Sequence, residues 1–152
     1  MSKNRITHLM ATALAAATIG LFPAAAHAET APTAGTAVAA GTTTAAADGY
    51  LYAWEHSWKG GRQATWSGDS DSWADRNMRN QASSVHNNGF AGAYEDVRLF
   101  WHTDQSGAWY CLGNGSYLMD MRYDRFPDNG NGDGDGEPLN DNISSHDWVN
   151  AC

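Results

Sequence analysis

The sequence predicts an all-β domain, folded as a sandwich of two similar units. Apolar residues occur in short alternating runs interrupted by glycine, asparagine, aspartate and serine, and this period of two is typical of half-buried strands. Turn signals recur at about ten residues, the spacing of small β-sandwiches. The 16 glycines of the 152-residue chain agree with so many turns. The order of these features also occurs twice, which predicts the two units.

Five runs fit strands because aromatic and β-branched residues alternate in them with polar residues. They are Tyr50–Trp54, Ser83–Tyr94, Val97–His102, Ala108–Leu112 and Ser116–Tyr123. Between the first two runs, Ser70–Gln81 predicts a short helical turn with Asp71 or Ser70 as its N-cap. The predicted elements are therefore short strands with a single helical turn.

The repeat begins at an aromatic residue that stands seven positions before a glycine. Trp54 precedes Gly61 in the first copy, and Phe100 precedes Gly107 in the second. In both copies a second strand and then a loop ending in Ser-Ser follow this hairpin. The chain therefore looks like a duplication of roughly 45–50 residues, and each unit alone is too small for a stable core.

Residues 1–28 have the layout of a secretory signal peptide. Two basic residues precede an apolar run, and Ala-His-Ala places small residues before a cleavage site after Ala28. Residues 29–48 consist almost entirely of alanine, threonine, glycine and proline, as flexible spacers do. We therefore expect one core-forming domain at residues 49–152, in a secreted, extracellular protein.

Export makes the chain strongly acidic. Cleavage removes two of the nine basic residues and no acidic one, so seven basic side chains face 17 acidic ones, a formal net charge of −10. The basic surface that nucleic-acid binding needs is absent from this composition. After the signal peptide, no segment approaches the roughly 20 apolar residues of a membrane-spanning helix. The composition instead favours cations and positively charged partners.

The chain contains two cysteines, Cys111 and Cys152. In an exported protein an even number of cysteines favours disulfides, and two cysteines allow a single internal bridge. This bond would hold the C-terminal residue, which otherwise frays. The alternative is an unpaired thiol or a bond to another molecule.

The repeated hairpin and its Ser-Ser loop resemble a known group. The two loops read RNQASS at residues 79–84 and NDNISS at residues 140–145. Together with the aromatic residue and glycine of each hairpin, they are similar to the paired Greek-key motifs of the βγ-crystallins. With its signal peptide and its size, the chain most resembles the secreted bacterial peptidase inhibitors of this fold, the metalloproteinase-inhibitor type. The resemblance implies a two-unit Greek-key β-sandwich that blocks the cleft of an extracellular protease with a rigid loop.

The same resemblance implies calcium ligands in the Ser-Ser loops. The better site would use Asn140, Asp141 and Ser144, and the poorer site Asn80 and Ser83, since their oxygens suit calcium. The neighbouring arginine of the first loop should weaken cation binding there. The alternative is that both loops are Asx and Ser turns whose side chains cap the backbone.

An insertion in the second unit offers a separate cation hypothesis. Acidic and amide residues alternate in it with glycine, at Asn129, Asn131, Asp133, Asp135 and Glu137. Alternating oxygen ligands around glycine partly reproduce a calcium loop. The alternative is a mobile acidic surface loop.

The inhibitor hypothesis needs an exposed extended segment, because a rigid segment loses little entropy on binding. Ala108–Gly115 is the first candidate, with Trp109, Tyr110 and Leu112 as side chains for specificity pockets. These three residues also fit a strand. Two further hypotheses are an extracellular calcium-binding module without inhibitory activity and a wall- or sugar-binding protein that uses exposed tryptophan.

An enzyme is not expected. The sequence contains neither H-E-x-x-H nor G-x-S-x-G, and neither cysteine stands in the setting of a catalytic nucleophile. His56, His86, His102 and His146 are predicted in four different turns, without metal-ligand spacing. Binding functions are therefore favoured over catalysis.

Overall fold

The computed structural model describes residues 46–128, 130 and 132–152. Outside the described residues lie the predicted signal peptide at 1–28, residues 29–45 of the predicted spacer, and Asn129 and Asn131 of the insertion. Within the described part of the chain, no helix has the length and apolar character needed to cross a membrane.

Short strands form the described domain, in agreement with the all-β prediction. The first repeat contains β1 (Tyr50–His56), β2 (Gly60–Trp66) and β3 (Ser84–Asn88), and the second contains β4 (Asp96–Phe100), β5 (Trp109–Leu112), β6 (Tyr117–Leu118) and β7 (Ser145–Val149). Single 3-10 turns lie at Ser57–Lys59, Trp73–Arg76 and Met121–Tyr123.

The strands form two antiparallel sheets, in the orders β2-β1-β3-β6 and β5-β4-β7. Strand β6 of the second repeat joins the first sheet, where Leu118 lies opposite Val85 of β3. In return, Ser70 of the first repeat forms a β-bridge with His146 of β7. Each repeat therefore contributes a segment to the other sheet, and the predicted two-unit Greek-key sandwich is confirmed.

Alternation along the strands fills the space between the sheets with apolar side chains. On β1, Leu51 and Ala53 are completely buried, whereas Tyr50 and Tyr52 point to the opposite face of the sheet. The core also contains Trp66, Trp73, Met78, Val85, Val97, Leu99, Leu112, Met121, Phe126, Leu139 and Ile143. Burial of this apolar surface is the main term that stabilises the sandwich.

The strand predicted at Ser83–Tyr94 ends earlier, at Asn88. The ring of Trp148 packs directly on the next residue, Gly89, where a β-carbon would lie 2.5 Å from a ring carbon. This packing turns the chain out of the sheet. The remainder of the predicted strand is therefore a loop.

The strand predicted at Ser116–Tyr123 is also shorter, because β6 covers two of its residues. Asp120 then caps a 3-10 turn by accepting the backbone N–H of Arg122 at 3.3 Å. This turn places the side chain of Met121 in the core, completely buried. A local cap thus replaces the second half of the predicted strand.

The helical turn predicted within Ser70–Gln81 forms at Trp73–Arg76, but its cap differs from the prediction. Ser72, and neither Asp71 nor Ser70, accepts the backbone N–H of Ala74, at 3.3 Å. The backbone of Ser70 instead pairs with β7 and belongs to the sheet.

The structure contains the predicted disulfide between Cys111 and Cys152. The bond joins β5 to the C-terminal residue, with a Cα–Cα distance of 5.6 Å and a sequence separation of 41. The backbone N–H of Cys152 also donates to Asp96 at 3.3 Å. The end of the chain is therefore fixed to the second sheet.

Candidate functional site

The two Ser-Ser loops lie against each other in a reciprocal arrangement. The backbone N–H of Asn80 donates to the carbonyl of Ile143 at 2.9 Å, and the N–H of Asp141 donates to the carbonyl of Ala82 at 3.0 Å. Asn80 and Asp141 also share the left-handed backbone conformation, with φ of 54° and 59°. The two loops are therefore equivalent, as their sequence similarity indicated.

The second serine of each loop supports the fold. The hydroxyl of Ser84 donates to the carbonyl of His56 at 2.9 Å and accepts the N–H of Lys59 at 3.3 Å. Ser145 likewise donates to the carbonyl of His102 at 2.6 Å. Both serines are completely buried. The final serine of the motif therefore fastens each loop to the hairpin of its own repeat.

The side chain of the first serine of each loop forms a hydrogen bond with the other loop. Ser83 Oγ donates to Asp141 Oδ1 at 3.4 Å, and Ser144 Oγ donates to Asn80 Oδ1 at 3.0 Å. The sequence analysis had grouped Ser144 with Asp141 and Ser83 with Asn80. The structure brings these four residues together in the opposite combination, because the loops are antiparallel neighbours.

We call the space beside Ser83 and Asp141 the first groove. It has a volume of about 330 Å3 and is also lined by Glu55 and His56 of the first hairpin and by Asn80 and Gln81 of the first loop. The carboxylate of Glu55 lies 3.9 Å from the guanidinium of Arg62, which limits their electrostatic attraction. The first groove therefore combines a hydroxyl with two carboxylates, and Glu55 is a contributor that the sequence motif did not indicate.

Asn140 adds an amide group beside this groove. Its Nδ2 donates to Asp141 Oδ2 at 2.7 Å. Its Oδ1 is buried and has no hydrogen-bond partner among the described residues. Because a buried amide oxygen normally accepts a hydrogen bond, this atom is suited to a cation ligand.

The equivalent place in the first loop is held by Arg79, which sits 61 positions before Asn140. Arg79 Nε donates to Ser144 Oγ at 3.4 Å. We call the corresponding place in the repeat, where Asn80 meets the buried side chain of Ser144, the second groove; Asn80 also lines the first groove. Arg79 was expected to disfavour cations near Asn80 and Ser83, and its guanidinium contacts Ser144, the hydrogen-bond partner of Asn80. The positive charge therefore lies at the second groove.

The described part of the insertion is attached to the second hairpin. The carbonyl of Asp133 accepts the N–H of Ala108 at 2.9 Å, and Gly134 packs on the ring of Trp101. Asp133 Oδ2 also lies 3.4 Å from His102 Nε2. Among the described residues, neither the insertion nor the first groove brings three histidine, cysteine, aspartate or glutamate side chains together as metal ligands.

The predicted inhibitory residues Trp109, Tyr110 and Leu112 lie in β5, at the edge of the second sheet. Leu112 is buried, and Tyr110 packs against the core, where burial raises the pKa of its hydroxyl. Trp109 is half-buried and lies 5.6 Å from the guanidinium of Arg98. These three residues therefore lie in an edge strand, and Gly113–Gly115 of the predicted segment follow it as a turn.

His146 is a polar core residue that the sequence analysis placed in a turn. It lies in β7, completely buried, at the position that Val85 occupies in the first repeat. Trp73 Nε1 donates to its Nδ1 at 2.7 Å, so the proton is on Nε2, which donates to the carbonyl of Gly68 at 2.9 Å. Burial lowers the pKa of His146 to about 4, and the imidazole is neutral. His86 likewise lies in a strand, β3.

The fold is similar to solved βγ-crystallin domains. A domain from work on the evolution of the eye lens βγ-crystallin fold is 20% identical, with a TM-score of 0.50, over 68% of this chain and 88% of that chain. An archaeal βγ-crystallin is 19% identical over 66% of this chain and 96% of that chain, with a TM-score of 0.48. A βγ-crystallin from Ciona intestinalis is 17% identical over 66% and 99%, with a TM-score of 0.47.

No protein-family model and no curated protein sequence matches the chain. At 20% identity, the first of these structural likenesses establishes the fold and nothing further. The chain therefore has a βγ-crystallin-like fold, and its function must be argued from its own side chains.

Proposed function

We propose that this chain is an exported calcium-binding module whose cation site is the first groove. The observation that carries the proposal is a difference between the two otherwise equivalent loops. One contains Asn140, with an unpartnered amide oxygen, where the other contains the guanidinium of Arg79. An asymmetry of this kind favours a single cation site.

The oxygen atoms of the first groove suit a hard divalent cation. Calcium prefers six to eight oxygen ligands from carboxylates, amides, carbonyls, hydroxyls and water. Asp141, Ser83 and Asn140 would hold the ion from the two loops, and Glu55 would add a second carboxylate from the hairpin. Calcium would neutralise the two carboxylates and thereby hold the loop and hairpin together.

The second groove is a poor cation site for a simple electrostatic reason. The Arg79 guanidinium donates to Ser144, the hydroxyl that a cation would need as an acceptor. A like charge at this distance opposes a second cation strongly, since two unit charges about 4 Å apart interact by several kcal/mol near a protein surface.

The test is a calorimetric calcium titration of the purified protein after chelator treatment, beside the Asp141→Asn variant. We expect about one site per chain in the unmodified protein. Asp141→Asn preserves the size of the side chain but removes its charge, and we expect at least about a tenfold loss of affinity. An Asp133→Asn, Asp135→Asn variant is the matched control in the insertion. Loss of binding in this control, but not in Asp141→Asn, would contradict the proposal.

Peptidase inhibition is a second proposal, and the free edge of β5 favours it. β5 pairs with β4 on one side, and its other side ends the sheet. A protease that binds extended substrates could add β5 as a strand in its cleft, with the disulfide at Cys111 limiting strand movement. Inhibition assays against extracellular metalloproteases and serine proteases test this, with Trp109→Ala expected to weaken any inhibition. Full inhibition by that variant would exclude β5 as the contact.

Both proposals require export. Residues 1–28 read as a signal peptide, and we expect the mature protein to begin at Glu29. N-terminal sequencing of protein recovered from culture medium tests this expectation. A mature chain that still carries residues 1–28 would contradict it.

A further inference from the structure

A second cleft, which shares no lining residue with the first groove, presents aromatic rings to solvent. It has a volume of about 360 Å3, and the residues that shape it are Gly49, Asp69, Gly89, Phe90, Tyr94 and Trp148. Phe90 is 65% exposed and Tyr94 is 63% exposed. We call this space the aromatic cleft. Large exposed aromatic side chains around a concavity are typical of a binding site.

Two glycines hold the rings of the aromatic cleft in place. A β-carbon at Gly49 would lie 2.6 Å from the ring of Phe90, and one at Gly89 would lie 2.5 Å from the ring of Trp148. The rings therefore pack directly on backbone that any other residue would block. For Tyr94 the backbone is held, because its N–H donates to Asn150 Oδ1 at 3.0 Å, while its ring is exposed. The rings of Phe90 and Trp148, which pack on glycine, lose little freedom when a ligand binds.

The exposed rings of Phe90 and Tyr94 are available to a ligand, and the partly buried ring of Trp148 lines the same cleft. Within the described part of the chain, Phe90, Tyr94 and Trp148 form no aromatic pair with one another. The outer face of the first sheet behaves differently, since Tyr52 and Trp54 stack there at 5.7 Å with a 13° interplanar angle. On that face the aromatic rings stack on one another, whereas the three rings that line the aromatic cleft do not.

The charge of the aromatic cleft selects the ligand. Among the described residues that line it, Asp69 is the single charged one. Asp69 Oδ1 accepts the backbone N–H of Trp148 at 2.7 Å, which fixes the carboxylate at the rim. The exported chain as a whole carries a formal net charge of −10. Aromatic faces and a carboxylate both attract cations, and neither attracts anions.

We propose that the aromatic cleft binds an organic cation of the alkylammonium class, such as a quaternary ammonium group. The rings of Phe90, Tyr94 and Trp148 would surround the alkyl groups, and the Asp69 carboxylate would balance the charge. Ammonium groups surrounded by aromatic rings gain cation–π attraction in addition to apolar contact. This site is separate from the first groove and does not depend on calcium.

The experiment is an NMR titration of the full exported protein in chelator, with tetramethylammonium and choline at constant ionic strength. We expect saturable shifts of the Trp148 indole and Gly89 backbone signals. The neutral choline isostere 3,3-dimethyl-1-butanol should bind at least about fivefold more weakly. Asp69→Asn, which keeps the acceptor for the Trp148 N–H, should weaken the cation about fivefold, the upper end for an exposed ion pair.

Phe90→Ala should also weaken binding of the cation, because it removes one exposed ring from the aromatic cleft. Tyr123→Ala is the matched control, since Tyr123 is 82% exposed and does not line the cleft. Equal binding of the neutral isostere would overturn the proposal in favour of a purely apolar cleft. Saturation by glucose or N-acetylglucosamine without cation binding would identify a glycan site instead. No saturable shift with any probe would exclude the cleft as a binding site.

Discussion

At the scale of single residues, His146 shows how a polar group is accommodated in this core. Its two ring nitrogens are both hydrogen-bonded, to Trp73 and to the carbonyl of Gly68. The neutral ring therefore leaves no buried polar atom unsatisfied. A protonated ring would carry two donors, and Nδ1 would then face the N–H of Trp73. Protonation of His146 in acid is therefore expected to destabilise the fold.

The predicted consequence is a loss of stability between about pH 6.5 and pH 4. His146 has a folded-state pKa lowered to about 4 from an ordinary 6.5. As the pH falls through this window the unfolded chain binds the proton first, so the free energy of unfolding falls, by at most about 1.4 kcal/mol per pH unit and on the order of 3 kcal/mol in total. Urea unfolding at intervals across this range measures the slope.

The control for this prediction is His146→Val, which copies Val85 of the first repeat. It should unfold more easily at pH 7, since the N–H of Trp73 loses its partner, at a cost of about 1–3 kcal/mol. Its pH slope above pH 4 should be smaller than that of the unmodified protein. Identical slopes in the two proteins would show that other groups cause the acid sensitivity.

Arg79 is the residue that distinguishes the two grooves. Arg79→Asn makes the first loop resemble the second, and it removes the guanidinium that contacts Ser144. We expect the calcium stoichiometry to rise from about one to about two ions per chain, because the second groove would lose its repulsive charge. Calorimetry measures this directly. Arg76→Asn, a change of equal charge outside the grooves, should leave the stoichiometry at about one.

At the scale of elements, the insertion is a supported part of the second hairpin. Gly134, with φ of 96°, lies against Trp101 so closely that a β-carbon would be 2.5 Å from the indole ring. Gly132 has a similar φ of 111°, but a β-carbon there would meet nothing within 4 Å. Substitutions at these two positions would share the backbone strain of a positive φ and would differ in packing against Trp101.

Gly134→Ala is therefore predicted to lower the free energy of unfolding more than Gly132→Ala. The difference should be about 1–3 kcal/mol, the usual cost of overpacking, since both variants share the strain of a positive φ. Chemical denaturation of the two variants measures it. Equal losses would mean that Trp101 moves aside at little cost and that the insertion is only loosely attached.

The disulfide connects an edge strand to the end of the chain. It closes a loop with a separation of 41 residues. Loss of the bond should reduce the free energy of unfolding by about 2–4 kcal/mol, from the loop-closure entropy of the unfolded chain. Urea unfolding of a Cys111→Ser, Cys152→Ser variant tests the value. A loss below about 1 kcal/mol would show that residues 150–152 add little to the native state.

At the scale of the whole molecule, sequence periodicity predicted the repeat and the sheet sandwich. The hairpin aromatic residues and glycines occupy equivalent places in both repeats, because the same local turn recurs. Element boundaries were less predictable, since the end of β3 depends on Trp148, which lies about sixty residues away in the chain. A local sequence pattern cannot reveal a contact between residues so far apart in the chain.

The equivalence of the two Ser-Ser loops was predicted from the sequence, but the side chains that meet between them were not. Spacing indicated Ser83, Asp141, Ser144 and Asn80, but their pairing depends on how the two loops meet in space. Glu55 joins the first groove through the hairpin, which no linear motif includes. The duplicated fold therefore determines which oxygens share a site.

The measurement that tests this account most directly is a calcium titration of two single variants, Ser83→Ala and Ser144→Ala. Each removes one hydroxyl from an equivalent position of the repeat. Because Ser144 is buried and bonded to Arg79 and Asn80, urea unfolding of each variant is measured beside its calcium affinity. We predict that Ser83→Ala weakens calcium binding by about tenfold or more, and that Ser144→Ala leaves it unchanged. The reverse result, loss in Ser144→Ala and retention in Ser83→Ala, would contradict the assignment of the cation site to the first groove.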